Sequence, residues 1–377
     1  MHRVFITGSS LICALGNNKQ EAINKFQTIN EKNYKEYLQN NFKNINYYRI
    51  KKIFKDEKEK FYSSILQVIK EAIKEANLSK EDETELHIFL ATTSINISLL
   101  ENKFLSTNKI DYVGYKDVLD FVEKNINSKY PATIFQTACT SAANAIINAS
   151  EQIKNAQINK AIIIGFEFFN QATFKGFDSL MLLSQSGEYK PFDKSSDGLI
   201  LGEACSAIVL ENIQKTQNDF EIISKSTSFD NYSITSSNPN GEATLQCLKN
   251  AIKSANLTIK DIDFIKAHAT GSENSNFSEA NAIDRLFKEE KKMCDVVILK
   301  PYTGHTLGSC GTNEIVILCE TIKKGLVPKT INFKENYDNI QFKPLLEDKK
   351  INKATTLFHF VGFGGSNASI IISNKGI

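Results

Sequence analysis

Apolar and polar positions along this chain follow two rhythms. Short, mostly apolar runs occur at residues 4–7, 86–91, 161–165 and 368–372. Between them lie longer stretches whose apolar residues recur three and four apart. The clearest is Phe61, Ile65, Leu66, Val68, Ile69, Ala72, Ile73 and Ala76, which predicts a helix over 61–76. Weaker versions predict helices over 18–26, 144–153, 174–184 and 312–322. A strand that is apolar on both faces needs cover on both faces, so these runs between helices predict an α/β fold. Residues 30–60, rich in Lys, Asn, Glu and Tyr without a period, are expected to form a surface excursion. Residues 95–130 are expected to mix helices with loop.

The pattern repeats. Residues 66–82 (LQVIKEAIKEANLSKED) and 245–261 (LQCLKNAIKSANLTIKD) share ten of seventeen letters, and each leads into a strand, 86–91 and 263–267. A repeat of this length, with the same element after it, predicts a duplicated α/β core. The polar stretch 211–220 is the crossing, which gives halves of 1–215 and 216–377. In this scheme His305, before the second-half helix, is expected to be the counterpart of Cys139.

Composition narrows the function. Forty-five Lys and Arg against forty-three Asp and Glu leave a net charge of only +2, which makes no electrostatic case for a nucleic-acid partner. Seven cysteines without CxxC spacing point to reduced thiols and a cytoplasmic setting. The set Cys294, His305, Cys310 and Cys319 fits no zinc spacing, so no metal is expected. No apolar run is long enough for membrane insertion, and Gly8-Ser9-Ser10 interrupts the apolar start, as a strand and glycine turn would.

Candidate chemistry gathers where strands meet helices, the usual place for sites in α/β folds. Cys139 lies in TACTSAA between the run 132–136 and a helix, where a helix N-terminus favours thiolate. Two histidines stand in comparable stretches, KAHATGS (266–272) and KPYTGHTLGSCG (300–311), and a third glycine-rich stretch is FHFVGFGGSN (358–367). His2, His87 and His359 have no motif around them and are read as structural.

Together with PFDKSSDGLILGE (191–203), these stretches occur in a familiar order. The chain resembles the β-ketoacyl-acyl-carrier-protein synthases, condensing enzymes of the thiolase superfamily, and among them the elongating type with a Cys-His-His triad. The resemblance implies a thiolase-like five-layered αβαβα fold. It implies that Cys139 holds the acyl chain as a thioester. It also implies that His268 and His305, as neutral imidazoles, stabilise the enolate formed when a malonyl thioester loses carbon dioxide. Lys300, with Glu279, is implied to support His305 electrostatically, and a helix start at His305 is expected to oppose protonation. The Cys139 and Phe363 backbone N–H groups are implied to form the oxyanion hole, with Phe363 also gating the acyl pocket. Thr270, Phe177, Met181 and Gly364 are the candidate substrate contacts.

No cofactor is implied beyond the phosphopantetheine arm that arrives on the carrier protein. The implied partners are that acyl carrier protein and a second subunit, identical or related. Lys51, Lys52, Lys55 and Lys58, with Lys60, are candidate docking cations for the acidic carrier, although Asp56, Glu57 and Glu59 are interleaved. Several positions depart from the pattern: Ala269, Ser272, Asn276, Ser366 and Cys310. The stretch before Cys139 is some tens of residues shorter than in typical elongating synthases, which bears on subunit pairing and chain length. The alternatives are a non-catalytic partner subunit resembling a chain-length factor, which an intact triad disfavours, and a thiolase-like acyltransferase acting on coenzyme A esters.

Overall fold

A computed structural model describes residues 2–30, 32–41, 45–107 and 114–376. Ten strands form the main sheet. From one edge the order is Asp295–Val297, Phe264–Lys266, Thr355–Gly362, Ser366–Ser373 and Phe220–Phe229, and then Phe5–Cys13, Ala204–Glu211, Lys160–Glu167, His87–Ala91 and Thr133–Phe135. The two sets of five repeat the same order outward from the junction, with corresponding strands running in opposite directions. Each has three parallel strands at the outer edge and two antiparallel ones toward the junction. The sets pair at the junction through Phe5 opposite Glu221 and Ile6 opposite Phe220.

The five layers follow from side-chain alternation along the strands. In Lys160–Glu167 and Ala204–Glu211, Ile163, Ile208 and Leu210 join the central core. Their neighbours Ile162, Ile164 and Val209 face the outer helix Glu57–Glu75 through Phe61, Ile65, Val68 and Ile69. In the other set Phe358, Phe360, Ile370 and Ile372 face the centre. Leu357 and Ile371 pack outward with Leu248, Ile283 and Leu286 of the helices Glu242–Ser254 and Glu273–Glu290. The central layer contains the helices Ser141–Lys154 and Cys310–Lys323. They approach so closely that a Cβ on Gly311 would lie 2.4 Å from the Ala143 nitrogen.

Several expectations need correction. The first strand does not stop before Gly8: it runs Phe5–Cys13 with a register shift between Ile6 and Gly8. Gly8 lets the helix Glu57–Glu75 sit against it, since a Cβ there would be 2.3 Å from the Ala72 oxygen. That helix starts earlier than its apolar stripe, because Asp56 caps it by accepting from the Glu59 N–H. Residues 30–60 are not purely a surface excursion. Tyr47 and Tyr48 are buried, and the Tyr48 hydroxyl donates to the Pro301 carbonyl at 2.6 Å. Asn170 caps the helix Gln171–Ser179, so the element expected over 174–184 starts and ends early. The stretch 95–130 contributes the helices Ile97–Thr107 and Tyr115–Ile126, with 108–113 outside the described residues.

Candidate active site

Cys139 lies in a single 3-10 turn, Ala138–Thr140, that leads into the helix Ser141–Lys154. Ala138, just before it, has φ 52°, a left-handed conformation that turns the chain sharply at the cysteine. The second half builds the same device: a 3-10 turn Leu307–Ser309, with Leu307 at φ 45°, leads into Cys310–Lys323. The position matching Cys139 is therefore Gly308, and the expected equivalence of Cys139 with His305 fails by three residues. His305 is not at a helix start. It lies in extended backbone against residues 200–202, where its N–H donates to the Ile200 oxygen at 2.7 Å and its oxygen accepts from the Gly202 N–H at 3.0 Å. Gly202 makes this contact possible, since a Cβ there would lie 2.2 Å from the Thr303 oxygen.

These segments converge on one narrow cavity of about 30 Å³. Cys139, His268, His305, Thr270, Phe177 and Phe363 all line it. The two imidazole centroids are 5.3 Å apart with their planes at 83°. Lys300 Nζ, which can only donate, lies 3.3 Å from His268 Nδ1. The Leu307 N–H donates to His305 Nδ1 at 3.3 Å. Each neutral ring therefore carries its proton on Nε2. His268 Nε2 is buried without a hydrogen-bond partner among the described residues. Burial, reinforced by Lys300, holds both histidines well below the ordinary imidazole range, so both are neutral at pH 7.

The thiol departs from expectation. Cys139 is only 5% exposed, and burial pushes it well above the usual cysteine range. Cys310 adds to that rise, while Lys300 and the Phe363 N–H directed at the sulfur oppose it. In this environment desolvation outweighs the turn and helix behind the sulfur, and the resting group is a thiol. Phe363 stacks on Phe177, centroids 5.5 Å apart and planes at 19°, so one aromatic pair covers this side of the cavity.

Lys300 and Glu279 make their direct contacts with His268, while Lys300 acts on His305 electrostatically, as expected. Lys300 Nζ donates to the His268 carbonyl at 2.5 Å and to Glu314 Oε1 at 2.6 Å. Glu279 accepts from the backbone N–H groups of His268 and Ala269 at 2.7 and 2.6 Å. Ala269 has φ 46°, so a glycine at this position would relieve strain. Glu314 and Lys266 escaped the sequence analysis. Both are buried, Glu314 bridges the two lysines, and Lys266 also donates to the His359 carbonyl at 3.1 Å. Their signal was a carboxylate in the first turn of the apolar helix 312–322 and one lysine inside a buried strand.

Other candidates lie elsewhere. Met181 follows the end of its helix, is 85% exposed and lines an adjoining surface groove instead of the cavity. Gly364 gives its N–H to the Ile234 oxygen at 2.7 Å and shapes the turn beside Phe363. Lys60 is no docking cation, because it is buried in an ion pair with Glu203. Lys51, Lys52, Lys55 and Lys58 are exposed. The Lys51 and Lys52 ammonium groups reach the Glu36 oxygen and Gln67 Oε1 at 2.7 and 2.8 Å. His87 stacks on Tyr130, and His359 Nδ1 meets Ser369 Oγ at 2.9 Å, both outside the cavity. Among the described residues, no group of three or more His, Cys, Asp or Glu is placed to hold a metal, and no helix is long and apolar enough to cross a membrane.

Comparisons with known proteins point to one family. The β-ketoacyl synthase N-terminal domain model matches residues 49–216 and the C-terminal domain model matches 220–334. A putative mitochondrial 3-oxoacyl-[acyl-carrier-protein] synthase of Schizosaccharomyces pombe is 30% identical over 333 residues, covering 80% of this chain and 78% of that protein. A 3-oxoacyl-[acyl-carrier-protein] synthase 2 of Staphylococcus aureus is 25% identical, covering 98% of this chain and 97% of its own. Among solved structures, the ishigamide ketosynthase/chain length factor superposes with a TM-score of 0.85 at 18% identity, covering 100% of both chains. A β-ketoacyl synthase from Burkholderia phymatum gives 0.82 at 20% identity, covering 99% of both. With its thiol and two neutral imidazoles in one cavity and both family models matched in order, the chain belongs to the β-ketoacyl synthase family.

Proposed function

We propose that this protein is a β-ketoacyl-acyl-carrier-protein synthase that condenses a malonyl thioester with an acyl chain held on Cys139, in fatty acid or polyketide-type biosynthesis. One observation carries the reading: Cys139 shares a cavity with two neutral imidazoles whose Nδ1 atoms both accept hydrogen bonds. That leaves two Nε2–H donors for a single oxyanion.

In the first half-reaction the Cys139 sulfur attacks the acyl thioester of a carrier-bound phosphopantetheine. Its proton leaves with the departing pantetheine sulfur. The Cys139 and Phe363 N–H groups serve the tetrahedral oxyanion, and the Phe363–Phe177 pair gates the acyl chain. In the second, the malonyl carboxylate leaves as carbon dioxide and its electron pair passes to an enolate whose oxygen accepts from His268 and His305. The enolate carbon attacks the Cys139 thioester, the C–S bond breaks, and the sulfur takes up one proton from solvent. Lys300, Glu314 and Glu279 are positioning residues for His268, and Thr270 is a substrate contact at the cavity wall. No resident cofactor or metal takes part.

We assign the two thiolase-like halves to 1–215 and 216–377, and a cytoplasmic setting. The exposed Lys51, Lys52, Lys55 and Lys58 are the proposed docking cations for the acidic carrier protein. Two neighbouring structures concern ketosynthases bound to an acyl-carrier protein and to a chain length factor. We propose the same kinds of partner here, with a homodimer or a related subunit completing the assembly.

The test is incubation with acyl- and malonyl-carrier protein, followed by intact mass spectrometry. The expected result is an acyl adduct absent from Cys139→Ala, followed by a ketoacyl carrier two carbons longer. Adduct without condensation would reassign the protein as an acyltransferase. No adduct from any acyl donor would make it a non-catalytic partner subunit.

A further inference from the structure

Behind His305, on the side away from the cavity, lies a file of buried polar groups. Asn313 Nδ2 donates to Thr306 Oγ1 at 3.2 Å. Thr306 Oγ1 donates to Cys310 Sγ at 3.5 Å. Cys310 Sγ lies 3.1 Å from His305 Nδ1. All four residues are at most 1% exposed. The direction of the file follows from its ends. The Asn313 amide nitrogen can only donate, so the threonine oxygen accepts there and spends its own proton on the sulfur. His305 Nδ1 already accepts from the Leu307 N–H, so it has no proton to give, and the thiol hydrogen points to it.

We propose that Asn313, Thr306 and Cys310 form a one-way hydrogen-bond relay that holds the His305 proton on Nε2, with Cys310 as the positioning residue in direct contact with the ring. The inference deepens the synthase reading and rests on it for its catalytic consequence. The relay does what a backbone N–H at 3.3 Å does only weakly: it occupies the Nδ1 lone pair with a second donor, so that neither proton transfer to Nδ1 nor tautomer exchange is favourable. Burial keeps the Cys310 thiol protonated, its value raised to about 11, so it remains a donor across the working pH range. Cys310 does not line the cavity, so it is not a second nucleophile.

Other groups also bear on His305. They are the His268 ring from the end of Phe264–Lys266, Lys300 on its own segment, Lys266 with Glu314, Cys139 from the opposite central turn, and Glu167 through the Gly308 N–H at 3.1 Å. None of these touches Nδ1, so cutting the relay isolates its contribution.

The experiment compares wild type, Cys310→Ala, Cys310→Ser and Thr306→Val by two readouts. One is the 15N shift pattern of labelled His305, which reports the tautomer without turnover. The other is the pH profile of malonyl decarboxylation. For Cys310→Ala the Nδ1 lone pair keeps only the weak Leu307 N–H, so proton binding becomes easier and the acid limb moves to higher pH. One hydrogen bond sets the size of that move at about half to one pH unit. The Nε2–H tautomer should lose purity in the same variant. Cys310→Ser keeps a donor and should stay near wild type, while Thr306→Val, nearly isosteric, should shift in the same direction by less. An acid limb and tautomer unchanged in both Cys310→Ala and Thr306→Val would overturn the relay. If Cys310→Ala does not fold, Thr306→Val decides alone. A wild-type protein that decarboxylates nothing would sink the synthase reading, while the 15N pattern would still test the relay.

Discussion

Lys300 reaches His268 twice, at 2.5 Å through the carbonyl oxygen and at 3.3 Å through Nδ1. One ammonium thus fixes both where the ring sits and which nitrogen carries its proton. Lys300→Met should remove that control and lower malonyl decarboxylation about 100-fold, the usual cost of losing one oxyanion donor. Acylation of Cys139 should fall much less, because Lys300 acts on that thiol only electrostatically and the Phe363 N–H stays in place. Carbon dioxide release and adduct mass, measured on the same preparation, separate the two effects.

Glu314 has Lys266 and Lys300 on its two oxygens in a fully buried setting. Glu314→Gln should destabilise the fold by about 3–5 kcal/mol, since two buried cations lose their shared anion. Urea unfolding monitored by circular dichroism measures the loss. A change under about 1 kcal/mol would mean the lysines find other partners.

Acid pH should weaken the fold through buried imidazoles. His268, His305 and His359 are all held below the ordinary value by burial, His359 to about 3. The unfolded chain takes up these protons near pH 6.5 while the folded chain does not. Their contribution is therefore complete above about pH 6.5 and is lost as pH falls toward the folded values. Denaturant midpoints at pH 7.5 and pH 5 should differ, and His359→Asn should narrow the difference. Decarboxylation should stay flat through pH 6, because the imidazolium forms only at lower pH.

The two central helices cross where Gly311 meets Ala142 and Ala143. Gly311→Val should force them apart, costing about 1–3 kcal/mol as an overpacked core. The same shift separates the Cys139 turn from the His305 segment, so condensation should fall more than stability alone accounts for. Thermal unfolding and adduct formation measured together test this, and full condensation at a lowered Tm would contradict it.

Much of the fold was legible as alternation and repetition. Apolar runs marked the strands, and the 66–82 and 245–261 repeat anticipated a strand order that mirrors itself about Phe5–Cys13 and Phe220–Phe229. Helix limits were less legible, because Asp56 and Asn170 cap by side-chain contacts that periodicity does not register. Gly8 read as a break, yet it is a site of close packing, a distinction that depends on the helix carbonyl opposite.

By itself the sequence determined which chemical groups the protein carries and the order in which they come: one cysteine in TACTSAA, two histidines before glycine turns, and a lysine five residues ahead of the second histidine. Only the tertiary structure decided what each group does to its neighbours. It put Lys300 and Glu279 in direct contact with His268, brought Lys266 and Glu314 into the site, and turned an expected thiolate into a buried thiol. The reason is physical: hydrogen-bond partnership and desolvation depend on distances of a few ångströms between segments tens to hundreds of residues apart, and local patterning carries no information about them.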